Sequence, residues 1–209
     1  MAIAGSLGTS AHRRDEYLQA ARVAIDPGGA QIELDLTPGI ALADAIIADI
    51  DRDGDGALSA AEQHQYAGVI LGALEVELDG TPLRLQPGAA SFPDTDAMRR
   101  GEGAIRLQST VTLPRLSPGA HHLLFRNRHH PDRSVYLANA LVPQSYRLAV
   151  TGQRRDDTQR ELTIDYVLRE APATSTGVWL LGSLAAAAGL TGFAVFGQRF
   201  LPHDARRSA

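Results

Sequence analysis

Apolar residues occupy nearly every second position in YLQAARVAID (17–26), and every second position in ELTIDYVL (161–168), so each stretch must bury one face and wet the other. The same period returns in AQIELDL (30–36), ALEVELDGTPLRL (73–85), AIRLQSTVTL (104–113), HHLLFRNR (121–128), SVYLANALV (134–142) and YRLAVTG (146–152). Asp79 and Gly80 turn the 73–85 stretch back on itself, and Pro27, Gly28 and Gly29 mark another hairpin. About nine short strands result, and their apolar faces need a second layer to cover them. The pattern predicts a mainly β fold, an antiparallel, immunoglobulin-like β-sandwich. It lacks the cysteine pair and core tryptophan of true immunoglobulin domains, because the chain has no cysteine and its one tryptophan is Trp179. Residues 86–103, QPGAASFPDTDAMRRGEG, carry no period and predict a mobile loop.

One segment, from about residue 40 to 74, breaks the strand rhythm. Leu42, Ile46 and Ile50 recur at four-residue intervals, and Tyr66, Val69, Ile70 and Ala73 follow helical spacing. Between them lies DRDGDGALSAAE (51–62), which fits the twelve-residue loop of an EF-hand. A calcium ion needs six to eight oxygens at ~2.3–2.6 Å, and a tight turn carries alternate side chains to one centre. The expected ligands are Asp51, Asp53 and Asp55, the carbonyl of Ala57 and both oxygens of Glu62; Ser59 stands at the water-bridged position. Gly56 permits the bend and Leu58 faces away from the ion. EF-hands ordinarily pair, yet the sequence has no second loop, so the helices are expected to pack on the sandwich through Ile46, Ile50 and Ile70. A helix pair braced in this way predicts a structural calcium site more than a signalling one. Asp49 and Asp51 after an apolar run also resemble the phosphoaspartate motif of haloacid-dehalogenase-like phosphatases. Asp53 stands where that motif needs Thr or Val, and the chain contains no lysine to neutralise a phosphate.

Residues 176–197, TGVWLLGSLAAAAGLTGFAVFG, are uncharged over a length sufficient to cross a bilayer at ~1.5 Å per residue, and predict a transmembrane helix over 177–198. A short polar linker, residues 170–176, precedes it, and Trp179 and Phe200 sit near its ends as interface anchors. Arg199, Arg206 and Arg207 follow the run, while only Arg169 lies close before it. That asymmetry places the 199–209 tail in the cytoplasm and the domain of residues 12–169 outside, on the periplasmic face of the inner membrane. Residues 1–11, MAIAGSLGTSA, read as the last part of a secretory signal.

Without cysteine or lysine, thiol nucleophiles, disulfides, Schiff bases and lysine-dependent phosphate loops are excluded. No nucleophile elbow, zinc-protease helix or glycine-rich dinucleotide loop is present, and no enzyme is predicted. A net charge of −4 and the lack of a basic, aromatic-studded stripe give no reason to expect nucleic acid. His121 with His122, and His129 with His130, are candidate ligands for nickel, cobalt, copper or zinc. Neighbours on a strand face opposite ways, so each pair offers one imidazole to a site, and the second pair is expected at a solvated hairpin tip.

HRRDEYLQA (12–20), ELDLTPG (33–39), the acidic loop and SVYLANALVP (134–143) together resemble the exported amino-terminal domain of HupE/UreJ-like bacterial membrane proteins. The resemblance covers residues 12 to about 169 and implies nickel or cobalt handling. One span replaces the several a permease needs, so the expectation is a membrane-anchored calcium-binding module with an unidentified protein partner. The alternative is an accessory for transition-metal uptake that uses histidine ligands.

Overall fold

In the computed structural model, which describes residues 16–171, the alternating stretches and the segment after residue 85 form ten strands in two five-stranded sheets. The first sheet contains β1 (Tyr17–Asp26), β2 (Gly29–Pro38), β5 (Gln86–Ser91), β6 (Ile105–Thr112) and β8 (Ser134–Ala140), in the order β5-β6-β2-β1-β8. The second contains β3 (Leu74–Leu78), β4 (Thr81–Leu83), β7 (Gly119–Asn127), β9 (Leu148–Arg155) and β10 (Glu161–Leu168), in the order β4-β3-β7-β10-β9. Three helices interrupt them: α1 (Ala43–Ile50), α2 (Ala60–Gly72) and α3 (Thr95–Arg99).

The period of two becomes the core. Val23, Ile25, Ile32, Leu34 and Leu36 of the first sheet, and Val76, Phe125, Leu162, Ile164 and Tyr166 of the second, are buried in one cluster. Fully burying each such side chain contributes ~1.5–3 kcal/mol, which makes this alternation the main source of stability. Two tight turns behave as their residues require. Pro27 and Gly28 connect Asp26 to its partner Gly29, and Asp79 and Gly80, both at positive φ, join Leu78 to Thr81.

Three expectations need correction. β1 pairs with β8 in parallel, Tyr17 beside Ser134 and Val23 beside Ala140, so the sandwich is not wholly antiparallel. Residues 86–103 are not an irregular loop, since they hold β5 and α3. Every residue of β5 is exposed, leaving no apolar period to read; the strand exists because β6 offers an edge, which it meets with a shift between Pro87 and Ala90. Asp94 caps α3 through the Ala97 N–H at 2.7 Å, and Met98 anchors it in the core. Finally, the link from β7 to β8 crosses between sheets instead of closing a hairpin, and it buries His129.

The helical spacing gives α1 and α2 as expected. Ala43, Ile46, Ile47 and Ile50 of α1, and Tyr66, Ala67 and Ile70 of α2, are buried, whereas Val69 faces solvent. Ile46, Ile50 and Ile70 join the sandwich core, and Leu58 packs against it. The helix pair sits at the end where β7 finishes and β10 starts: the Arg128 N–H donates to Ala73, and Glu161 pairs with Arg126. At the opposite end lie the β1–β2 turn and the connection from β8 to β9. Among the described residues no helix is long and apolar enough to cross a membrane. The predicted 177–198 span, the 199–209 tail, the 1–11 signal segment and most of the 170–176 linker lie outside the described residues.

Candidate metal centre

Helix α1 ends where Asp51 turns out of the helical region, at φ −71° and ψ 89°. Its two carboxylate oxygens accept from the N–H groups of Gly54 and Gly56, at 2.8 and 2.9 Å. Both glycines have positive φ, 73° and 85°, a conformation that a side chain at either position would strain. Asp53 Oδ1 then accepts from Asp55 N at 3.1 Å, and Asp55 Oδ1 from Ala57 N at 2.8 Å. These successive turns fold the three carboxylates inward.

One oxygen from each of Asp51, Asp53 and Asp55 lies within 4.8 Å of the others. Two ligands on one calcium ion can be no farther apart than twice the metal–oxygen distance, ~5 Å, so the spacing suits such an ion. The donors are hard, anionic oxygens, which select calcium or magnesium over soft metals. Ala57 is exposed next to them.

Glu62 is engaged differently. Ser59 caps α2 by accepting from the Glu62 N–H, and Glu62 Oε2 returns the bond by accepting from Ser59 N at 2.9 Å and Ser59 Oγ at 2.7 Å. This capping box follows from a Ser and a Glu three residues apart at a helix start. Its other oxygen accepts from Arg52 N at 2.6 Å, which ties α2 across the loop to the end of α1. Donation from Ser59, then from the Arg52 backbone, holds the carboxyl down to about 2. The structure therefore brings Asp51, Asp53 and Asp55 together and places Glu62 on the helix start beside them.

Beneath the helices lies a buried polar group that period counting passed over. Gln19 takes an inward position on β1; its amide donates to the His129 carbonyl at 2.8 Å and accepts from Asn127 Nδ2 at 2.8 Å. Tyr136 donates to the same carbonyl at 2.7 Å, and His129 N donates to Asn127 Oδ1 at 2.9 Å. The His129 ring meets the Tyr66 hydroxyl of α2 at 3.2 Å. Burial, reinforced by His130 and Arg133 nearby, lowers the His129 pKa to about 3, so the ring is neutral. His130, at positive φ, reaches the α1 carboxylate of Asp49 at 3.4 Å. One sign was legible in the sequence: glutamine at an inward position of an alternating strand must find buried partners.

The other histidines are dispersed. His121 and His122 both engage Asp79 at the β3–β4 turn, at 2.7 and 3.3 Å, and His64 is exposed on α2. Apart from the three aspartates, no three His, Asp or Glu residues among the described residues bring ligand atoms within 4.8 Å. Comparison with protein-family models, curated proteins and solved structures finds no match.

Proposed function

We propose that this protein is a membrane-anchored, calcium-binding module. In this reading an immunoglobulin-like sandwich displays one EF-hand outside the cytoplasmic membrane, and the ion braces the helix pair for contact with a protein partner. The observation that carries the reading is the convergence of Asp51, Asp53 and Asp55 within 4.8 Å on a loop held by its own N–H groups. Ala57 contributes its carbonyl and Glu62 a further carboxylate. The anchoring half rests on the apolar run before the arginine-bearing tail, and the resemblance of residues 12–169 to an exported domain supports the same placement.

Titration calorimetry on the full chain in detergent tests the calcium half. About one equivalent of calcium is expected to bind, with an affinity in the ~10⁻⁴ to 10⁻³ M range of extracellular modules. No heat of binding up to ten millimolar calcium, an upper limit well above that range, refutes it. Tight nickel or copper binding lost in His129→Ala/His130→Ala would favour the transition-metal reading instead.

A further inference from the structure

The connection from β8 to β9, residues 141–147, exposes more apolar surface than its position in a sandwich requires. Val142 is 84% exposed, Tyr146 64% and Leu141 40%. Beneath them an open groove of about 390 Å³ is walled by Leu141, Val142, Pro143, Leu148 and Val150. The chain also leaves the sandwich here. Leu168, at the end of β10, pairs with Leu148; Arg169 N then donates to the Arg147 carbonyl at 2.7 Å, and its guanidinium to the Tyr146 carbonyl at 3.0 Å. Arg169, just past the end of β10, is thus tied to the base of this loop.

We propose that the 141–147 loop seats on a phospholipid bilayer surface through Leu141, Val142 and Tyr146. The inference rests on the reading of residues 177–198 as a membrane span. On that reading, from Arg169 to Gly177 the chain can reach at most ~29 Å, at up to ~3.6 Å per residue, which keeps the exit end of the sandwich within that distance of the lipid. The residues fit that neighbour. An aliphatic tip enters the boundary of the acyl region, the tyrosine ring lies at headgroup level, and Arg147 and Arg169 at the loop base face lipid phosphates. Tethering supplies the proximity, and a few apolar side chains then fix which face turns to the membrane.

The absence of cysteine makes Val142→Cys a unique attachment point, with Val69→Cys on the far-end helix as the reference. The full chain, labelled with an environment-sensitive dye, is reconstituted into phosphatidylcholine–phosphatidylglycerol vesicles, some containing a nitroxide-bearing lipid. A blue-shifted dye at position 142, quenched severalfold more than at position 69, is the expected result. A dye at 142 as aqueous as at 69, on vesicles from which alkaline carbonate does not extract the chain, overturns the docking and leaves the anchor standing. Extraction by carbonate overturns both. Self-quenching between labelled copies at 142, relieved by unlabelled protein, assigns the loop to a second copy and also overturns it. Both positions are exposed, and an unchanged melting curve verifies each variant's fold.

Discussion

Asp53→Asn/Asp55→Asn removes two charges from the loop while leaving its turns intact. Each side-chain oxygen that accepts a backbone N–H, from Asp55 and from Ala57, has a counterpart in asparagine. Without calcium the double variant should melt at or slightly above the parent temperature, since mutual repulsion among three clustered carboxylates falls. Calcium separates the two proteins. For a dissociation constant of ~10⁻⁴ M, ~1 mM calcium adds about 1.4 kcal/mol of linkage stability, and for ~10⁻³ M about 0.4 kcal/mol. In a domain of this size the larger value raises Tm by ~3–6 °C. Calorimetric melts with EGTA, and with one and ten millimolar calcium, ~10 and ~100 times the tighter constant, read both numbers. The parent should gain Tm with each step and the variant should not. An equal gain in both proteins refutes the assignment of these carboxylates, and no gain in the parent refutes a structural calcium site.

Acid separates two other groups. His129, neutral in the fold with a pKa of about 3, takes up a proton near 6.5 once unfolded; its contribution is complete above pH 6.5 and is lost as pH falls towards 3, at ~1 kcal/mol per pH unit. Urea unfolding of His129→Gln should therefore show a shallower slope with pH across that window than the parent, and equal slopes argue against a buried neutral ring. Glu62, held down to about 2, contributes stability that is complete above pH 4.5 and vanishes as pH falls through 2. Glu62→Gln should flatten stability between those limits in EGTA, and any further loss of the calcium-dependent Tm gain assigns Glu62 to the ion as well. Ile70→Ala opens a cavity where α2 meets the core and should cost ~2–5 kcal/mol by denaturant titration, whereas Val69→Ala, on the wet side of the same helix, should change stability by less than ~0.5 kcal/mol.

What could be read from the sequence was whatever repeats within a few residues. Strands β1, β2 and β10 declared themselves by period, α1 and α2 by Ile46, Ile50, Tyr66 and Ile70, and the acidic loop by its spacing. Partnership is not local. Nothing in YLQAARVAID says that SVYLANA will lie parallel to it, more than a hundred residues later. β5 owes its form to a neighbour's open edge, and the five residues of α3 are too few to display a period. Glu62 illustrates a different limit. The same serine and glutamate satisfy both a calcium loop and a capping box, so spacing alone does not say which set of donors holds the carboxylate.

The strand made last is not at a margin. β8 completes the flank of β1 in one sheet, and β10 lies between β7 and β9 in the other. During synthesis the early β1–β2 hairpin therefore emerges with its greasy side uncovered, and the opposing layer closes only when residue 168 has left the ribosome. Such distant pairing makes for slow acquisition of the native state. A nascent chain of this topology needs shelter for nearly its whole length, and a premature stop before residue 161 should yield aggregates instead of a smaller working domain.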